Sequence, residues 1–183
     1  MMLKENDNAE KARMEGQDFD SPWIVTMNAS IRADTRRLFN ALTVPEYIEA
    51  WICPPGCHMN CYSVVARVDE SYSIEHFCDG KRTLFVNGSY LVCQRRKLIF
   101  SWQLDGGLTK TCVDIRLCGD FESSTLQMRQ SGLRSSEEYE WHRALWSASL
   151  AKLRGFFDVA PADANTKQKL PNRLVRCTVS VMR

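Results

Sequence analysis

Between Thr83 and Phe157 the spacing of apolar side chains changes period once. Four segments alternate apolar and polar positions, Thr83–Cys93, Lys97–Leu104, Thr109–Leu117 and Ser123–Ser131, with turn residues between them. Alternation sends successive side chains to opposite faces, which is the pattern of a half-buried strand. In Lys97–Leu104 it is clearest: Leu98, Phe100, Trp102 and Leu104 share one face. Thr111, Val113, Ile115 and Leu117 do the same in the next segment, and Leu126 and Met128 point inward from the last. From Glu137 to Phe157 the period becomes helical, and Trp141, Leu145, Trp146, Leu150, Leu153 and Phe157 form a wide apolar stripe. Ser135 and Glu138 have capping-box spacing ahead of it. Gly155 weakens the last turns, and Pro161 marks the exit.

The first third predicts the rest of the architecture. Trp23–Ile31 is rich in β-formers and reads as a strand. Asp34 is placed to cap a short helix running to Leu42, with Leu38 and Phe39 on its buried side. Pro45 suits the first turn of a second short helix ending near Trp51, and Pro54-Pro55-Gly56 is a turn. Cys61–Val68 is expected as a strand, turned by Asp69-Glu70 into Ser71–Cys78, where Tyr72, Ile74 and His76 share a face. Asp79-Gly80 is a hairpin signal, and Gly88 marks a bulge or bend in the strand that follows. The order is strand, two short helices, six strands, long helix. Connections this short make the sheet antiparallel and strongly curved, and only the long helix can cover its concave face. The fold class is α+β, with the sheet wrapped around the C-terminal helix.

Composition narrows the function more than the fold. The 183 residues suffice for one domain with a good core, and the apolar fraction of 44% and charged fraction of 25% are ordinary for a globular protein. Residues 1–21 are polar and read as a flexible leader, 22–158 as the domain, and 159–183 as a tail. In that tail Val175, Cys177, Val179 and Val181 alternate with polar residues, the pattern of a short extra strand or of a disordered tail. A net charge of +2, with basic residues scattered, argues against nucleic acid as a partner. No apolar run approaches the roughly 18 residues that span a bilayer. The N-terminus lacks the apolar core of a signal peptide, so a cytoplasmic, reducing location is expected, with the eight cysteines as thiols.

Several local motifs resemble one superfamily. They are Ala41-Leu42-Thr43-Val44-Pro45, Trp51 with Pro54-Pro55-Gly56, and Trp141 with Leu145. Between them come Gly88-Ser89-Tyr90-Leu91-Val92 and Lys97-Leu98-Ile99-Phe100-Ser101-Trp102. In order and spacing, over about residues 22–158, the chain resembles the START-like (SRPBCC) superfamily. Within it, the match is to the activator of heat-shock protein 90 ATPase homologue-like family. The resemblance implies the helix-grip fold shared with birch-pollen-allergen proteins. It also implies a choice of roles: lipid or polyketide binding, cyclase- or hydrolase-like chemistry, or chaperone stimulation.

The candidate site is a chamber between sheet and helix. Trp51, Tyr72, Ile74, His76, Tyr90, Phe100, Trp102, Val113, Trp141, Leu145 and Trp146 are the residues expected to line it. Mostly apolar walls with a few polar groups suit a small molecule, while the same aromatics can simply fill a core. His76 and Tyr72 are the orienting polar groups, and His142 is expected at the entrance or in solvent. Cys53, Cys57, His58 and Cys61 crowd one loop, but their spacing is not that of a zinc finger or ribbon, and no metal is expected. No nucleophile elbow, phosphate loop or zinc-protease motif is present, so no cofactor or catalytic residue is assigned. The expectation is a protein that binds a small hydrophobic or amphipathic molecule. The alternatives are a protein-interaction module or chaperone co-factor, with a protein partner or homodimer, and a cyclase- or hydrolase-type enzyme using His76.

Overall fold

A computed structural model describes residues 21–52, 57–62, 66–105 and 109–158. The elements, in chain order, are β1 (Trp23–Ile31), α1 (Thr35–Thr43), α2 (Pro45–Ile52), β2 (Cys57–Tyr62), β3 (Ser71–Cys78), β4 (Lys81–Gln94), β5 (Lys97–Leu104), β6 (Lys110–Gly119), β7 (Ser124–Leu133) and α3 (Ser136–Asp158). The strands form one antiparallel sheet in the order β1-β7-β6-β5-β4-β3-β2. Helices α1 and α2 carry the chain from one sheet edge, β1, to the other, β2. Helix α3 then lies against β1 and α2 and closes the core. This is the helix-grip architecture that the apolar pattern predicts.

Local chemistry explains the boundaries. The Asp34 carboxylate accepts from the backbone N–H groups of Arg36 and Arg37 at 2.8 and 2.9 Å, capping α1. Pro45 opens α2, where its missing N–H has no helical partner to lose. The Trp51 indole donates to the Ala41 carbonyl at 2.8 Å and ties α2 back to α1. At the start of α3 the Glu138 N–H donates to Ser135 Oγ at 3.1 Å, and the Glu138 carboxylate accepts from the Arg134 N–H at 2.8 Å. The capping box thus forms with its return bond shifted one residue upstream. Asp79 and Gly80 both take positive φ, 52° and 73°, as a tight hairpin between β3 and β4 requires.

Three expectations need correction. The strand expected at Cys61–Val68 lies earlier, at Cys57–Tyr62, paired from Cys57↔Cys78 to Tyr62↔Ser73. Asp69 adopts a φ of 69°, its N–H donates to the Tyr90 carbonyl and the Tyr90 N–H donates to the Glu70 carbonyl, so residues 69 and 70 bond to β4 beside the start of β3. Next, Cys57 and Cys78 are joined by a disulfide. They face each other across two antiparallel strands with Cα atoms 4.4 Å apart, within bridging reach. Finally, α3 is rotated from the expected stripe. Its buried residues are His142, Trp146, Ser149, Leu150, Leu153 and Phe157, and Trp141 is 42% exposed. The apolar residues at 141, 145 and 146 span too wide an arc for one seam, and the core takes Trp146. The leader up to residue 20, the loop at 53–56 and the alternating tail lie outside the described residues.

Gly88 explains the bend in the sheet. The β4–β5 ladder runs through Asn87↔Gln103 and Tyr90↔Phe100 but skips the pairs between, then shifts register before Val92↔Ile99. Side chains serve the backbone in this gap. The Ser89 N–H donates to Ser101 Oγ at 3.0 Å, and the Tyr72 hydroxyl donates to the Ser101 carbonyl at 2.7 Å. Tyr72 sits directly opposite Gly88, and a Cβ there would collide with the Ser101 carbonyl and lie 2.7 Å from the Tyr72 hydroxyl.

Gly88→Ala should therefore destabilise the fold by roughly 1–3 kcal/mol or more in urea melts. Gly155→Ala, whose Cβ meets nothing in α3, should stabilise it by about 0.5–1 kcal/mol. Equal effects at the two positions would contradict this account of Gly88. For the disulfide, which closes a separation of 21 residues, pairing Cys57→Ser with Cys78→Ser should cost about 3 kcal/mol. The same loss should appear on adding reductant to the unmutated protein, and a reductant-insensitive melt would show that the bond does not form.

Candidate functional site

The interior between sheet and helices holds an apolar cavity of about 40 Å³. Tyr72 and Ile74 from β3, Tyr90 from β4, and Leu98, Phe100 and Trp102 from β5 form its sheet side, with Ile115 from β6. Leu42 from α1, Ile48, Trp51 and Ile52 from α2, and Trp146 from α3 close the other side. The aromatic walls pack edge to face or tilted: Tyr72 lies 5.3 Å from Tyr90 and 5.9 Å from Phe100, and Trp102 lies 5.1 Å from Trp146. Burial pushes the phenols of Tyr72 and Tyr90 well above their ordinary range, so both stay neutral.

Trp51, Tyr72, Ile74, Tyr90, Phe100, Trp102 and Trp146 stand in these walls, where the face assignments put them. Val113 is fully buried opposite Phe100 but is not among the walls. Leu145 packs at the core margin, and Trp141 lies on the surface, its ring edge-on to His142 at 4.7 Å. His76 is buried to 2% between Met59 and Leu84 on neighbouring strands, outside the cavity walls. Leu98 and Ile115 were readable as wall residues, because they share the inward faces of Trp102 and Val113. Leu42, Ile48 and Ile52 were not, since helical phase alone does not say which neighbour a face meets.

A buried polar chain borders the cavity. The Trp146 indole donates to Gln130 Oε1 at 2.7 Å, Gln130 Nε2 donates to Thr111 Oγ1 at 2.8 Å, and Thr111 Oγ1 donates to the Trp102 carbonyl at 3.0 Å. Every group in it is satisfied, as burial demands. Beyond Trp102 is a second cavity of about 40 Å³, lined by Trp102, Leu104, Thr109, Thr111, Glu138 and His142. His142, expected at the entrance, is buried to 3%. Its Nδ1 lies 2.8 Å from the Glu138 carbonyl oxygen, an acceptor, so Nδ1 carries the proton. Among the described residues, His76 Nε2, Trp102 Nε1 and His142 Nε2 are buried without a hydrogen-bond partner.

Among its described residues the cysteine loop forms no metal centre. Cys57 is taken up by its bond to Cys78, and Cys53 lies outside the described residues. Burial, then the charges of Glu49 and Glu46, pushes the Cys61 thiol up to about 12. Among the described residues no group of three or more His, Cys, Asp or Glu could hold a metal ion, and no helix is long and apolar enough to cross a membrane.

Sheet, grip helix and enclosed apolar interior together define a START-like helix-grip protein. The family described as activator of Hsp90 ATPase homolog 1-like protein matches residues 32–158, and the chain belongs to that family. The fold is similar to a protein from Chromobacterium violaceum, with a TM-score of 0.69 at 20% identity over 76% of this chain and 100% of that one. It is also similar to a protein from Rhodobacter sphaeroides, with a TM-score of 0.66 at 16% identity over 75% and 93%. A protein of the dynemicin biosynthetic locus gives a TM-score of 0.63 at 22% identity, over 76% of this chain and 48% of that one. Likeness at these identities is a likeness of fold. No curated protein matches the chain.

Burial holds the imidazoles of His76 and His142 below the ordinary histidine range, and for His142 the Glu138 carbonyl and carboxylate oppose this only in part. An unfolded histidine takes a proton near pH 6.5, a folded one here only at lower pH. Below about pH 6.5 the unfolded state therefore binds more protons, and stability falls as pH falls. Urea midpoints from pH 8 to 5 should drop more steeply for the unmutated protein than for His76→Gln/His142→Gln. Parallel profiles would mean that neither imidazole is held neutral by the fold.

Proposed function

We infer that this protein binds a small hydrophobic or amphipathic molecule between the curved sheet and α3. The observation that carries the reading is the apolar cavity at the centre of the domain, walled by aromatic side chains from five different elements with no charge among them. A packed interior usually closes such spaces, because each forfeits dispersion contacts. At about 40 Å³ this one admits a water-sized group, whereas an engineered cavity of about 150 Å³ holds benzene and drug-sized ligands take about 300–1,000 Å³. Binding therefore includes an outward shift of a wall. Helix α2, eight residues long, contributes three of the wall side chains and is the shortest helix of the wall.

A cytoplasmic location belongs to the same proposal. The Cys57–Cys78 bond weighs against it, because disulfides persist mainly in oxidising compartments.

The second reading, a protein-interaction module, draws on the molecular surface. A surface cleft of about 490 Å³ gathers Arg36, Arg95 and Arg96 around Phe121, which is 95% exposed. Its charge suits an acidic partner, offset by Asp34 and Asp120 in the same cleft. Native mass spectrometry of the protein purified from its host, set against the denatured mass, separates the readings. Ligand binding predicts non-covalent extra mass of a few hundred daltons, lost in the Trp102→Ala variant. No increment would overturn it, and a co-purified protein released by Phe121→Ser would favour the interaction module.

A further inference from the structure

The second cavity carries chemistry that the first lacks. Three buried tryptophans face the interior, and two have hydrogen-bond acceptors: Trp51 on the Ala41 carbonyl and Trp146 on Gln130. The third, Trp102, keeps its indole N–H without a partner although it is only 2% exposed. His142 stands in the same cavity with its proton committed to the Glu138 carbonyl, so Nε2 offers a lone pair that nothing meets. An unmet buried donor or acceptor typically costs about 1–3 kcal/mol. The two residues that carry them, Trp102 and His142, both line this one small space.

The neighbours do not fill the need. Thr111 Oγ1 already donates to the Trp102 carbonyl and accepts from Gln130. The Glu138 carboxylate accepts from the Arg134 N–H at 2.8 Å and from Thr109 Oγ1 at 3.3 Å. A single group that met both would accept from an indole N–H and donate to an imidazole nitrogen. A carboxylate only accepts and an ammonium only donates, so neither satisfies both. A neutral hydroxyl does both, and about 40 Å³ has room for one oxygen.

We propose that this cavity is a hydroxyl site, taking the O–H of an alcohol or phenol whose apolar body occupies the apolar cavity on the other side of Trp102. Trp102 is a wall of both spaces, so the two are adjacent across one side chain. The ligand class is thereby narrowed from apolar molecules in general to amphipathic ones with a single uncharged hydroxyl at one end. The proposal rests on the ligand-binding reading above and sharpens it.

The test compares 4-pentylphenol with pentylbenzene, by calorimetry and by the ¹⁵N resonances of the His142 ring. The phenol should bind at least about tenfold tighter, and only the phenol should shift His142 Nε2, through its new hydrogen bond. His142→Phe, outside the walls of the apolar cavity, should reduce the preference to near unity while leaving pentylbenzene affinity within about twofold. The resonance measurement uses the unmutated protein and does not depend on the variant folding. Equal affinity for both probes with an unmoved His142 resonance would leave the chamber reading standing and overturn the hydroxyl site, which would then hold water alone. Binding of neither probe would overturn both.

Discussion

One buried amide decides how the long helix lies on the sheet. Gln130 projects from β7 and is fully buried, with its oxygen on the Trp146 indole of α3 and its nitrogen on Thr111 of β6. Apolar burial supplies most of the energy that holds α3 down, but it is indifferent to small rotations and slides of a helix. Hydrogen bonds are not: each adds only about 0.5–1.5 kcal/mol when made, yet leaving either end of the amide unmet in the dry interior costs about 1–3 kcal/mol. The amide thus selects one rotation of α3, in which Trp146 faces inward and Trp141 outward. Trp102, whose carbonyl ends the chain of bonds, is set by the same arrangement and divides the interior into an apolar and a polar part.

This dependence also marks where the sequence could be read and where it could not. Period-two alternation in β5, β6 and β7 states which side chains face inward, because a strand has only two faces, and Leu98, Phe100 and Trp102 are buried accordingly. The caps at Asp34 and Ser135 were legible because they need nothing beyond their own turn. The rotation of α3 was not, since adjacent apolar residues at 145 and 146 leave the seam ambiguous. A polar residue on the strand just before it, Gln130, settles it. His142 was misplaced for the same reason: a histidine reads as a surface residue until the helix has been turned.

The cysteines teach a different limit. A compartment inferred from a leader says which redox state is usual, and says nothing about which thiols meet. Cys57 and Cys78 meet because β2 lies earlier than its apolar run suggests, which puts Cys57 opposite Cys78 in the ladder. Family membership and fold were legible from the spacing of small motifs. The cavity's modest size was not, because volume depends on how a dozen side chains interlock.

The cross-strand bond has a mechanical meaning beyond stability. Strand β2 is six residues long and forms one edge of the sheet, the place where a β-structure ordinarily frays first. Welding its first residue to β3 turns that edge into a stiff rim. With that rim held, the wall shift that ligand entry would need falls to the helical side, where α2 stands over the cavity.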